Sequence, residues 1–277
     1  MTGIQSKPIT HSHQTGTCRI QSCVLCDVQR GGHDNFTSMS GESPELSLSN
    51  LSPELTVMMD SFPIGELGGH LLIVPRKHFA SLAQYPDKKD LASVVDQTTR
   101  TLQEVFPDYW QFTFEHGPGE IDLQQVKCGG CHVDHAHGHI VLVDRSVSFE
   151  DIRDLVELTL EDLGWDLDEA TLESAQPFVD MADFTGRLPY LQIGRIDDGQ
   201  REAVTFRQTQ ADKAIPSQLL RKLVSKASGR PSTLAWNWKI ALKQNIQQRL
   251  DRYRDEGVWF KTKVEQHIAA SNLQFVA

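Results

Sequence analysis

At 277 residues, with 39% hydrophobic and 23% charged side chains, the chain has enough material to bury a core without disulfide support. It contains no apolar run near the ~20 residues that span a bilayer, and its opening MTGIQSKPITHSHQTG lacks the apolar stretch of a secretory signal, so a cytoplasmic protein with no membrane contact is expected. The net charge of −10 is unevenly spread: Lys213 to Lys263 holds 12 Lys or Arg against 3 Asp or Glu, just after an acidic stretch with ten carboxylates between Glu150 and Glu173. A basic C-terminal part can hold phosphates or nucleic acid, or simply form a solvated helical face.

In chain order, residues 1–17 read as disordered. CVLC follows, and residues 30–55, rich in Gly, Ser, Pro and Asn, read as a long loop or insertion. LTVMMDSFPIGELGGHLLIVPRKH predicts two strands, 55–60 and 70–74, paired antiparallel across a Pro/Gly turn. Residues 88–106 place Leu91, Val94, Val95, Thr98, Leu102, Val105 and Phe106 near helical spacing, and YWQFTFEHG predicts an aromatic-rich strand.

CHVDHAHGHIVLV follows, with His135, His137 and His139 alternating. Residues two apart share a face only on a strand, and Ile140, Val141, Leu142 and Val143 suit a buried one. The three imidazoles are therefore expected to project together, with Ala136 and Gly138 leaving room on the other face. Beyond Asp144, FEDIRDLVELTLEDLGWD predicts an amphipathic helix and LPYLQIGRIDDGQREAVTF two strands about an Asp-Asp-Gly turn; the rest from Ser217 reads as mostly helical. Arg221, Lys222, Lys226 and Arg230 gather near the end of a helix at SGRP, placed either to complement helix C-terminal carbonyls or to reach over the histidines. The class is α+β.

The five cysteines include two C-x-x-C pairs, Cys23 with Cys26 and Cys128 with Cys131, a pattern of metal or redox chemistry in a reducing compartment rather than of a disulfide framework.

CVLC, MMDSFPIGELGGHLLIVPRKH and HAHGHIV, in that order, resemble the histidine-triad (HIT) family of nucleotide hydrolases and transferases. The resemblance spans roughly residues 20–145 and implies a HIT-like antiparallel sheet with flanking helices. A HIT-like domain over 18–145 would precede a mostly helical C-terminal extension over 146–277, basic from about 213. It also implies that His137 is the nucleophile at an α-phosphorus, forming a nucleotidyl-imidazole with its other ring nitrogen held by a nearby backbone carbonyl, and that His139 contacts the phosphate oxygens. The related hexose-1-phosphate uridylyltransferases carry Gln at the third triad position; His139 points to the hydrolase-like branch. His132 stands where relatives place a small hydroxyl residue, as a donor to the leaving group or phosphate or as a structural histidine. His116 stands where they place Asn on the nucleotide side. Asp60 falls at the carboxylate that takes ribose hydroxyls, unless it only caps a turn.

Family members with an N-terminal C-x-x-C bind structural zinc, which implies Cys23, Cys26, His78 and His135 as ligands; the rival set is Cys23, Cys26, Cys128 and Cys131. Nucleotides or their conjugates are the implied partners, and a homodimer is compatible with the resemblance. Nucleic acid is less favoured. The competing function is a zinc-stabilised nucleotide or nucleic-acid binding module without turnover, with Trp236, Trp238 and Trp259 stacking on bases.

Overall fold

A computed structural model of the chain describes residues 23–32, 35–117, 135–167, 171–179, 181–185, 188–208, 216, 218–229, 251 and 253–274. His132, Cys128, Cys131, Trp236, Trp238, Arg230 and residues 1–17 lie outside them. The first element, α1 (Val24–Gln29), is capped by Cys23, whose Sγ accepts from the Cys26 backbone N–H at 3.4 Å. The stretch expected as a long loop is packed instead: α2 (Asn35–Ser40) and a 3₁₀ turn (Ser47–Leu51) carry Phe36, Leu46 and Leu48 into the core, and Glu45 bridges to Met58. Its few large apolar residues are enough to fasten a segment whose composition otherwise reads as loop.

The predicted pair follows as β1 (Leu55–Met59) and β2 (His70–Pro75), antiparallel with Val57 opposite Ile73. Then comes α3 (Lys88–Val105), its start fixed by Asp87, which accepts from the Asp90 backbone N–H. β3 (Tyr109–Gly117) and β4 (Gly138–Asp144) complete the first half of the sheet. α4 (Phe149–Asp162) is capped by Ser148. A short edge strand β5 (Thr171–Ser174), absent from the sequence reading, and the single turn α5 (Ala182–Thr185) precede the hairpin of β6 (Tyr190–Asp197) and β7 (Gln200–Arg207). Asp198 and Gly199 close that hairpin with φ of +46° and +82°, the Asp-Gly signature of a tight turn. α6 (Leu219–Ala227), a π-helical turn at Tyr253–Gly257 and α7 (Val258–Gln274) form the helical C-terminal part.

Among the described residues, seven strands form one antiparallel sheet in the order β1-β2-β4-β3-β6-β7-β5. The sheet continues past residue 145 because β3 pairs with β4 on one side and β6 on the other, so three strands of the second half extend it. One face carries Val57, Leu71, Ile73, Ile140 and Leu142 against Leu91, Val95 and Leu102 of α3 and Phe260 and Val264 of α7; Phe106 stacks on Phe260 with ring centroids 5.0 Å apart. The other carries Trp110, Phe112, Phe114, Val141 and Val143 against Phe149, Ile152 and Val156 of α4 and Leu220, Leu223 and Val224 of α6. The architecture is α+β, an antiparallel sheet with flanking helices and a helical C-terminal region.

Candidate active site and metal-type centre

The histidine motif departs from the expected strand. β4 begins at Gly138, so His139 alone of the three alternating histidines lies in it, and His135 and His137 approach it outside the ladder. The reason is long-range: the Ala136 N–H bonds the Phe79 carbonyl, and the His135 ring turns into a cluster of cysteines, which takes this backbone away from β2. Space behind the motif is as tight as the small residues imply, since a Cβ on Gly138 would stand 2.9 Å from Leu82 Cδ1 and Phe178 Cζ.

Cys23, Cys26, His78 and His135 bring one donor atom each within 4.8 Å of one another. Cys26 Sγ is 3.2 Å from His135 Nδ1 and 3.5 Å from His78 Nδ1, and Cys23 Sγ is 3.6 Å from His135 Nδ1. His135 Nε2 donates to the Pro75 carbonyl at 2.6 Å, which leaves Nδ1 as the lone-pair nitrogen facing the sulfurs, the second-sphere bond that metal-binding histidines use. Burial pushes His135 down to about 4 against that bond, with the charges of His78 and His137 adding to the effect, so its imidazole is neutral as a ligand must be. Met58, Leu72 and Val74 pack the cluster against the sheet. Two thiols and two imidazoles in a dry pocket fit a closed, tetrahedral metal ion.

The second group sits around His137. Its Nδ1 donates to the His135 carbonyl at 2.7 Å, leaving the Nε2 lone pair for chemistry. His139 stacks on Phe114 with centroids 4.1 Å apart and planes at 12°, and the His137 ring lies 4.9 Å away, edge to face. Behind His139 stands His70. The Ile64 N–H donates to His70 Nδ1, so His70 carries its proton on Nε2 and donates to His139 Nδ1 at 2.9 Å, which places the His139 proton on Nε2. Burial pulls His70 and His139 well below the usual histidine range, and neighbouring positive charges deepen the effect. Burial also lowers His137, opposed by the carbonyl bond and by Asp60. Neutral imidazoles result, one with a lone pair left on its Nε2 and one with a proton there. His116 is half-buried on the face of β3 that Phe114 shares, and burial with the His137 charge lowers it to about 4.

Asp60 follows β1 directly. Its Oδ1 accepts from the Phe62 N–H at 2.6 Å, and its Oδ2 lies 3.7 Å from His70 Nε2 and 3.9 Å from His139 Nδ1. The same oxygen accepts from Arg221 Nη1 at 2.9 Å, and Arg221 Nη2 donates to the Phe62 carbonyl. Arg221 is only 7% exposed, and removing one partner of such a buried pair costs on the order of 3–5 kcal/mol. Tyr253 Oη donates to the Asp60 carbonyl at 3.0 Å, so α6 and the π-helical turn both hold this residue. Asp60, His70 and His139 could also gather round a cation, but the guanidinium already balances the carboxylate there.

Asp60, His116, His137 and His139 thus come together, and Cys23, Cys26, His78 and His135 form a separate cluster beside them. The sequence reading passed over His70, whose signal was a polar residue at the head of an apolar strand, and Phe114. Arg221 was noted only as one of four cations. It lies in the first turn of α6 and reaches Asp60, whereas Lys222 and Lys226 are exposed and Lys226 alone sits in the last turn.

Residues 51–145 match the family model of the HIT domain, and Cys23, Cys26, Arg221 and Tyr253 lie outside the matched segment. No curated protein sequence matches the chain significantly. Solved structures to which the chain is similar include a uridylyltransferase (9% identity, covering 66% of this chain and 85% of that one, TM-score 0.38). A hypothetical histidine triad nucleotide-binding protein from Sulfolobus tokodaii strain7 aligns at 18% identity (34% and 58% covered, TM-score 0.24), and yeast Ap4A phosphorylase at 11% (86% and 82%, TM-score 0.40). TM-scores this low carry no functional weight, which falls on the motif and the geometry.

Proposed function

We propose that the chain is a HIT-type nucleotide phosphohydrolase or nucleotidyltransferase that acts at the α-phosphorus through a covalent nucleotidyl-His137. The observation that carries it is the His137 Nδ1 bond to the His135 carbonyl at 2.7 Å, which holds the ring in the tautomer whose Nε2 can attack. The Nε2 pair forms the N–P bond as the leaving group departs with the P–O or P–N pair and takes a proton from solvent. Water or another acceptor then attacks phosphorus and gives its proton to solvent as the N–P bond breaks and its pair returns to Nε2, releasing the nucleotide and restoring the imidazole. The His139 Nε2–H donates to a phosphate oxygen as charge builds there, and His70 keeps that proton in place. Asp60 and His116 lie on the nucleoside side, and His132 is assigned to the leaving group from the motif alone.

Cys23, Cys26, His78 and His135 would hold a structural zinc ion, a closed site with no open position for substrate. Bound there, the ion would fasten α1 to the segment carrying the His135 carbonyl and so hold the nucleophile in register. The test is direct. Protein incubated with α-labelled nucleoside triphosphate or nucleotide-labelled adenosine phosphoramidate, then quenched in base, should carry an acid-labile label that His137→Ala lacks. Turnover with no label in either protein would remove the covalent step.

A further inference from the structure

On the reading above, in which a nucleotide reacts at His137, we infer that Arg221 masks Asp60 as an acceptor for sugar hydroxyls, so that the site takes ribonucleotides and 2′-deoxyribonucleotides alike. Asp60 Oδ2 lies 3.9 Å from His139 Nδ1, and the His139 ring stands 4.9 Å from that of His137, so the carboxylate is placed to meet the sugar next to the reacting phosphate. A carboxylate accepts only, and it grips a neutral hydroxyl well in proportion to its uncompensated charge. Here Oδ1 is engaged by the Phe62 N–H and Oδ2 by the guanidinium, with both side chains about nine-tenths buried.

Nor can the cation easily step aside. Leu219, Leu220, Leu223 and Val224 bury the helix that carries Arg221, and Arg221 is tied to the Phe62 carbonyl as well as to Asp60. Pulling the pair apart would leave two buried charges unmatched, a larger cost than a single hydroxyl hydrogen bond returns. The second half of the chain thereby sets the sugar selectivity of a site whose reacting groups lie in the first.

The test uses binding as well as turnover: calorimetric Kd values for AMP and dAMP on the full chain. Wild type should bind the two within about threefold. Arg221→Ala uncovers the carboxylate and should raise the preference for AMP to about tenfold or more, whereas Arg221→Lys keeps a cation and should stay near wild type. A wild-type preference for AMP of tenfold or more overturns the inference whether or not any variant folds, and so does an unchanged ratio in a folded Arg221→Ala. Binding with a large ratio together with label on His137 would sink the masking alone. Failure of both nucleotides to bind, with no label, would instead remove the proposed function and this inference with it.

Discussion

Two histidine clusters stand side by side on the sheet, and what surrounds them sets their chemistry apart. Around His135 the neighbours are thiols and a second imidazole, packed by Met58, Leu72 and Val74; every donor atom faces inward, an arrangement suited to one soft cation. Around His137 and His139 the neighbours are a carboxylate balanced by a guanidinium, a donor histidine and a flat aromatic ring, so one nitrogen keeps a lone pair and another presents a proton. A single residue joins them. The His135 ring belongs to the first cluster, and its carbonyl holds the His137 ring of the second. The lesson is that residue type alone does not assign a histidine: the group on its other nitrogen does.

The largest effect should come from breaking the metal-type cluster. Cys23→Ser is expected to lose one bound zinc per chain, with metal-linked stability on the order of 10 kcal/mol. The double change of Cys128→Ser with Cys131→Ser should keep the metal. Plasma emission and denaturant melts measure both, and metal loss in the second protein would favour the four-cysteine set.

His137→Ala should do the converse, keeping metal and melting behaviour while turnover falls by at least about a thousandfold. Near wild-type kinetics would break the division of labour between the clusters.

A buried carboxyl on the opposite sheet face sharpens the contrast with Asp60. Glu115 accepts from the Leu82 N–H and from Tyr190 Oη, each at 2.7 Å, with no guanidinium bonded to it among the described residues. Burial pushes it up from 4.5 to about 7, against those bonds and the Lys88 charge. A raised carboxyl binds its proton more tightly folded than unfolded. Its contribution is therefore full below the unfolded value and is lost as pH climbs to about 7, with an upper bound of about 3 kcal/mol. Urea melts at pH 5 and 7.5 should show wild type losing more stability than Glu115→Gln over that interval; parallel losses would refute it.

The smallest change probes the junction. Gly138→Ala pushes a methyl toward Leu82 and toward Phe178, a fully buried residue at φ +68°. It should cost about 1–3 kcal/mol and lower turnover more than metal content, because the strain falls between His137 and His139. Metal loss with full activity would reverse that order.

Much of the first half was legible in the sequence. Periodicity marked β1, β2, α3 and β3 nearly to their ends, because each element buries one regular face, and Asp-Asp-Gly marked the β6–β7 turn. Motif order brought His137, His139, Asp60, Cys23, Cys26, His78 and His135 into view. The strand assigned to His135 and His137 failed because the His135 side chain is drawn to partners more than fifty residues away, Pro75 and the cysteines, and the backbone follows. The 30–55 segment failed because a few buried residues outweigh a loop-like composition.

The sequence by itself determined the chemistry available, since imidazole spacing, thiol pairing and local periodicity are properties of neighbours along the chain. Only the tertiary structure decided that Arg221 meets Asp60 across 161 positions. One cation among twelve in a basic stretch carries no local mark of its partner. The choice is made when β6 extends the sheet beside β3 and the apolar side of α6 is buried against that face, a matter of long-range packing that fixes which charge is carried into the site and which are left in water.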